Sequence, residues 1–171
     1  MVNMFNKNKH VYVGVSACLL GHKVRYDGQT KPNSFVIDVL SNVFELDAIC
    51  PEVEAGLGLP RPPVQLVSSG QGLRMLGVDN PLLDVTDQIS EYSRLKVESL
   101  SHLSAYVFKA RSPSCGLHSP LLPEGRSAGL FAKALRIRWP DLPVIEESGL
   151  EGMVDQQAFI RKVQAYAKQR E

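Results

Sequence analysis

Val11-Tyr12-Val13-Gly14-Val15-Ser16-Ala17-Cys18 decides how this chain folds. The run is β-rich and carries no charge, the pattern of a central strand covered on both faces. It opens at its far end into polar, glycine-containing sequence from Leu19 to Asn33. Lys7, Lys9 and His10 stand before it, and Val15-Ser16-Ala17-Cys18 has the look of a lipoprotein cleavage site. The apolar stretch is too short for a signal h-region and continues through Leu19-Leu20, so a buried strand is the better reading.

Outward from this strand, helices and strands alternate. A short helix is expected from Ser34 to Val43, then a second apolar strand, Leu46 to Cys50, stopped by Pro51. Four prolines and two glycines between Pro51 and Pro63 predict an ordered irregular loop. Val64 to Val67 and Leu73 to Gly77 flank a Ser/Gly-rich turn and read as a hairpin. A helix from Thr86 to Leu103 places Ile89, Tyr92, Leu100 and Leu103 on one face. Ala105 to Lys109 is the third strand of the main sheet, followed by a loop from Ala110 to Ser127 that contains Cys115. A helix from Ala128 to Arg138, a strand from Leu142 to Glu146 and a last helix starting near Asp155 complete the order. Such alternation implies an α/β, Rossmann-like three-layer domain with a mainly parallel sheet of about four to five strands.

Composition bounds the function. The 171 residues, 44% of them hydrophobic and 22% charged, suffice for one core, and residues 1–171 read as a single domain. Nineteen Lys and Arg against eighteen Asp and Glu leave a net charge of +1, which argues against a long nucleic acid as partner. No apolar run approaches the roughly 20 residues of a membrane span. An odd number of widely spaced cysteines, Cys18, Cys50 and Cys115, fits a disulfide framework badly and a reducing cytoplasmic compartment well.

Those three cysteines carry the functional argument. In an open parallel sheet the carboxyl ends of all strands lie along one edge, where ligands bind. Cys18 follows the first strand, Cys50 ends the second and Cys115 lies in the loop after the third, so three thiols distant in sequence meet in space. A lone cysteine is usually a packing residue, but three at one edge point to a shared metal or cluster. Structural zinc closes with four ligands, and a 4Fe-4S cluster also prefers four thiolates. Three thiols leave one metal position open to water or substrate, as catalytic sites do.

Polar residues crowd the same edge. Glu52, just beyond Cys50, is placed for acid/base work, its bland alternative being a helix-cap or loop carboxylate. Ser112 and Ser114 flank Pro113 before Cys115, where turn hydroxyls are also common. Arg25, Tyr26, Asp27 and Gly28 form a polar turn able to hold a heterocycle or an anion, and Arg61 between two prolines is held by its loop. His22 and His118 are further ligand or proton-carrier candidates, although exposed loop histidines are usually neither.

Taken together, Val15-Ser16-Ala17-Cys18-Leu19-Leu20-Gly21 with Arg25-Tyr26-Asp27-Gly28, Cys50-Pro51-Glu52-Val53 with Pro60-Arg61, and Ser112-Pro113-Ser114-Cys115-Gly116 resemble the thiouracil desulfidase family. Asp84-Val85-Thr86 and Val144-Ile145-Glu146 extend the resemblance over nearly the whole chain. It implies a 4Fe-4S cluster on Cys18, Cys50 and Cys115, with Glu52 and Ser112 in acid/base roles. Arg25, Asp27, Arg61 and Ser114 would contact a small thiolated nucleobase, which loses its sulfur without net redox change. The family usually carries a glycine pair where this chain has Ala55-Gly56; a positive φ at the first of them would make Ala55 reshape the pocket.

Two other classes compete. An electron-transfer or redox-sensing protein would need a fourth protein ligand, for which His22 or His118 would serve. A metal-free nucleotide-binding module of flavodoxin-like shape is disfavoured, because the first loop lacks a G-x-G-x-x-G pattern.

Overall fold

The computed structural model describes residues 10–118, 121–122 and 125–171. Lys7, Lys9 and part of the loop from Ala110 to Ser127 lie outside the described residues. Strand β1 (Tyr12–Ser16) runs into a 3-10 turn, Ala17–Leu20, which carries Cys18. A π-helical stretch, Val36–Leu40, continues into α1 (Ser41–Val43) and leads to β2 (Glu45–Ile49) and the short α2 (Pro51–Glu54). Next come a hairpin of β3 (Val64–Ser69) and β4 (Gly72–Gly77), α3 (Thr86–Glu98) and β5 (Leu103–Phe108). A small antiparallel pair, β6 (Leu121–Leu122) and β7 (Gly125–Arg126), precedes α4 (Leu130–Arg138), β8 (Val144–Glu146) and α5 (Met153–Lys168).

The main sheet has four strands in the order β2-β1-β5-β8, and every neighbouring pair is parallel. The chain leaves β1 toward β2 on one side and returns through the hairpin and α3 to β5 on the other. That reversal makes the carboxyl edge of β1 a topological switch point, where flanking loops diverge and a crevice opens.

Alternation along β5 shows why both faces are covered. Ala105 and Val107 join Val13 and Val15 in a core with Phe159, Ile160 and Val163 of α5. Tyr106 and Phe108 point the other way, into a core with Ile49, Val97, Phe131 and Leu135. Each fully buried aromatic there contributes about 1.5–3 kcal/mol relative to an exposed one. Gly14 stands opposite Tyr106 in the register, and a Cβ on it would come within 2.4 Å of the Tyr106 ring. Glycine is therefore what lets this ring lie across β1.

Several expectations shift. The stretch from Pro51 to Pro63 is not irregular throughout, because Pro51–Glu54 forms a helical turn with proline at its first position, where no backbone donor is needed. The Glu54 carboxylate caps this turn by accepting from the Cys50 backbone N–H at 2.9 Å. Helix α3 ends at Glu98 rather than running to Leu103, since the Ser99 hydroxyl turns back to the Lys96 carbonyl at 2.7 Å and Leu103 opens β5. Ala55 has φ −74°, and the left-handed residue is Gly56 at +89°. The Ala55 methyl packs against the hairpin core of Leu66, Met75, Val85 and Ile89, so it leaves the cleft unchanged.

Asp84-Val85-Thr86 has a mechanical reason to precede α3. Asp84 accepts from the Thr86 backbone N–H at 3.0 Å and from Arg74 Nε at 3.0 Å, while Thr86 Oγ1 accepts from the Met75 N–H at 2.7 Å, tying helix to hairpin. Hydrogen bonds from Thr86, then Arg74, hold the Asp84 carboxyl down at about 2. A depressed carboxylate contributes stability above its ordinary pKa and loses it as pH falls through the folded value. Thermal melts of Asp84→Asn between pH 6 and pH 2 are expected to show a lower Tm at pH 6 and a difference from wild type that closes toward pH 2; a difference constant with pH would contradict this account.

Candidate functional site

Three loops at the carboxyl edge of the sheet line a cleft of about 420 Å³. Its walls include Cys18 after β1, Cys50 at the end of β2 and Cys115 after β5, all three free. Each thiol is held by backbone structure. The Cys18 carbonyl accepts from the Thr30 hydroxyl at 3.0 Å and from the Lys31 N–H at 3.1 Å, closing the first loop under it. Cys50 is the N-cap of α2, and its thiol faces the Val24 carbonyl at 3.8 Å. The Cys115 N–H donates to Ser112 Oγ at 3.0 Å.

The Cys115 loop is also clamped from behind. Helix α4 has no side-chain cap; its first amides bond instead to loop carbonyls, Gly129 N–H to Gly116 at 2.7 Å and Phe131 N–H to Ser114 at 3.0 Å. A Cβ on Gly129 would lie 2.4 Å from the Ser114 carbonyl carbon, so only glycine permits this approach. Within the same loop Arg111 adopts φ 60°, a left-handed conformation that costs about 1–2 kcal/mol for a non-glycine residue.

Burial sets the electrostatics of the thiols. It pushes Cys18 up to about 11, opposed by the nearby Lys109 ammonium, and it raises Cys50 and Cys115 as well. Desolvated thiolates of this kind need a positively charged partner. Among the described residues no three His, Cys, Asp or Glu side chains converge closely enough for a single metal ion. Soft thiolate donors spread around one cleft suit iron–sulfur chemistry.

Glu52, 8% exposed, sits in the cleft wall with both carboxylate oxygens engaged. Oε2 accepts from Arg61 Nε at 2.9 Å and Nη2 at 2.8 Å, and Oε1 accepts from Ser114 Oγ at 2.7 Å. Ser114 Oγ lies 3.3 Å from Ser112 Oγ, so a line of hydroxyls joins Ser112 to Glu52. Arg61 is itself fixed, its N–H bonded to the Tyr26 carbonyl at 2.9 Å and Nη1 to the Gly58 carbonyl at 3.3 Å. Ser114 and Arg61 thus hold Glu52 directly.

Other expected site residues divide. Arg25 lines the cleft; Asp27 does not, and its carboxylate instead accepts from the Gln29 N–H at 3.0 Å and lies 3.9 Å from Arg25. His22 is exposed, and His118 lies outside the cleft lining, 3.9 Å from Glu146. One pair escaped the sequence reading: Lys109 Nζ, in the cleft wall, is 2.7 Å from Glu147 Oε1, whose other oxygen accepts from the Ala110 N–H at 2.5 Å. Its position at the end of the third strand was the available signal.

No curated protein sequence matches the chain. A solved structure of a 4Fe-4S-dependent thiouracil desulfidase, TudS, is similar at 29% identity, with a TM-score of 0.63 over 86% of this chain and 98% of that one. The family model for 2-thiouracil desulfurase matches residues 13–147, a span that holds all three cysteines, Glu52 and both serines. The chain therefore belongs to the 2-thiouracil desulfurase family.

Proposed function

We propose that this chain, acting as one domain, removes sulfur from a small thiolated nucleobase such as thiouracil at a 4Fe-4S cluster held by Cys18, Cys50 and Cys115. The observation that carries this reading is the convergence of three free thiols on one cleft beside a buried, doubly anchored carboxylate. The cluster supplies, when bound, an iron with an open position that accepts sulfur and stabilises its developing negative charge.

The protein does the rest. Glu52 takes a proton from water as the oxygen attacks the thiocarbonyl carbon; the second water proton passes to sulfur, the carbon–sulfur bond breaks and sulfur leaves as hydrosulfide, so oxygen replaces sulfur with no electron exchanged. Arg61 and Ser114 keep the carboxylate aimed, and the proton that Glu52 takes up leaves along the hydroxyl line through Ser114 to Ser112. Arg25 holds the base at the mouth of the cleft. Pro51 and Pro63 add apolar wall against which a flat ring packs.

No histidine lines the cleft among the described residues, so the redox-carrier alternative lacks its fourth ligand there. No helix among the described residues is long and apolar enough to cross a membrane, and three free cysteines suit a cytoplasmic setting. Anaerobically reconstituted protein incubated with 2-thiouracil or 4-thiouracil is expected to release one sulfide per oxo base formed; intact cluster with no sulfide release would overturn the assigned activity.

A further inference from the structure

Tyr92 and Tyr106 each bury a hydroxyl that has no hydrogen-bond partner. Native interiors rarely leave such groups unmatched, and each orphan calls for an explanation. Tyr106 is completely buried, its ring stacked on Phe108 at 4.2 Å and edge-on to Phe131 at 5.8 Å, and Gly14 leaves the space it fills. Tyr92 of α3 lies 6.3 Å from the same Phe131 ring, so one aromatic cluster fixes both phenols. The Tyr106 ring, held this firmly, cannot swing its hydroxyl to water.

Their surroundings identify what is missing. Cys115 and Tyr106 belong to one packed cluster with Ile49, the residue before Cys50, and Tyr92 packs against it. Glu54 is the nearest acidic group acting on the Tyr92 hydroxyl, but its carboxylate, which accepts from the Cys50 N–H at 2.9 Å and from Lys96 Nζ at 3.0 Å, closes no hydrogen bond of normal geometry to it. Burial favours the neutral phenol in both residues, which keeps each a donor. Two preorganised donors packed with Cys115 and with the residue before Cys50 suit thiolates that carry negative charge only when iron is bound.

We infer that Tyr92 and Tyr106 are positioning residues for the cluster, their hydroxyls donating, directly or through one buried water, to the Cys50 and Cys115 side of it. The inference rests on the cluster reading above and deepens it. Hydrogen bonds toward cluster sulfur stabilise the more negative, reduced state and raise the reduction potential.

The test compares anaerobically reconstituted wild type, Tyr92→Phe, Tyr106→Phe and the double variant. Expected are a more negative reduction potential in each single variant, a larger shift in the double, and cluster loss to a chelator faster by about fivefold in each single variant and about 30-fold in the double, the size of lost hydrogen bonds near 1 kcal/mol each. The iron-free Tyr106→Phe protein should melt no lower than iron-free wild type, since no bond is lost without iron. Equal potentials and lifetimes in fully loaded proteins overturn the inference alone. Wild type that binds no iron removes the cluster reading and the inference together.

Discussion

Cys115→Ser is expected to yield folded protein that retains little iron and loses desulfidation by about 10³-fold or more, since Lewis-acid stabilisation at a metal is worth several kcal/mol. Cys115 is 4% exposed, and its N–H is anchored on Ser112 Oγ, a bond that serine keeps. The Ser16 side chain lies within hydrogen-bonding reach of the thiol and can satisfy the new hydroxyl, so the fold loses little. What is lost is a soft thiolate donor. Iron per chain and the visible absorbance of the cluster measure this directly, and the same substitution at Cys18 or Cys50 should give the same defect. A full iron complement in any one of the three variants would remove that residue from the ligand set.

Glu52→Gln should leave the cluster in place and lower turnover by about 10² to 10⁴-fold, the usual range for one acid/base group. The amide keeps an oxygen acceptor for Arg61 or Ser114 but cannot accept a proton. Deleting one partner of a buried ion pair costs about 3–5 kcal/mol, so a lower Tm accompanies the kinetic loss. Turnover is therefore measured well below that Tm and normalised to bound iron. Near wild-type turnover in the loaded variant would return Glu52 to the helix-turn role that the sequence also allowed.

The legible part of the site follows from backbone rules. Cys18, Cys50 and Cys115 were placed together because a parallel sheet sends every strand's carboxyl end to one edge, and that reasoning needs only strand order. Glu52 and Ser112 were found by nearness in sequence to those cysteines. The roles of Ser114 and Arg61 were not legible in the same way. Ser114 meets Glu52 across 62 residues of sequence, and no local pattern records a contact of that kind. Asp27 shows the opposite case: it is near Arg25 in sequence, and its turn holds its carboxylate on the Gln29 N–H. The Lys109–Glu147 pair joins the ends of two strands that pair only in the folded sheet.

By itself the sequence determined a parallel α/β domain, two covered sheet faces and three thiols on one edge. Hydrophobic periodicity and strand order set these features within each segment, before any two segments touch. Tertiary structure alone decided that Glu52 is gripped between Arg61 and Ser114, that Gly14 and Gly129 are required by close approach, and that two tyrosine hydroxyls are buried unmatched. Those outcomes depend on register and on helix-to-sheet packing to within a fraction of an ångström, and directional side-chain bonds form only after that packing is set.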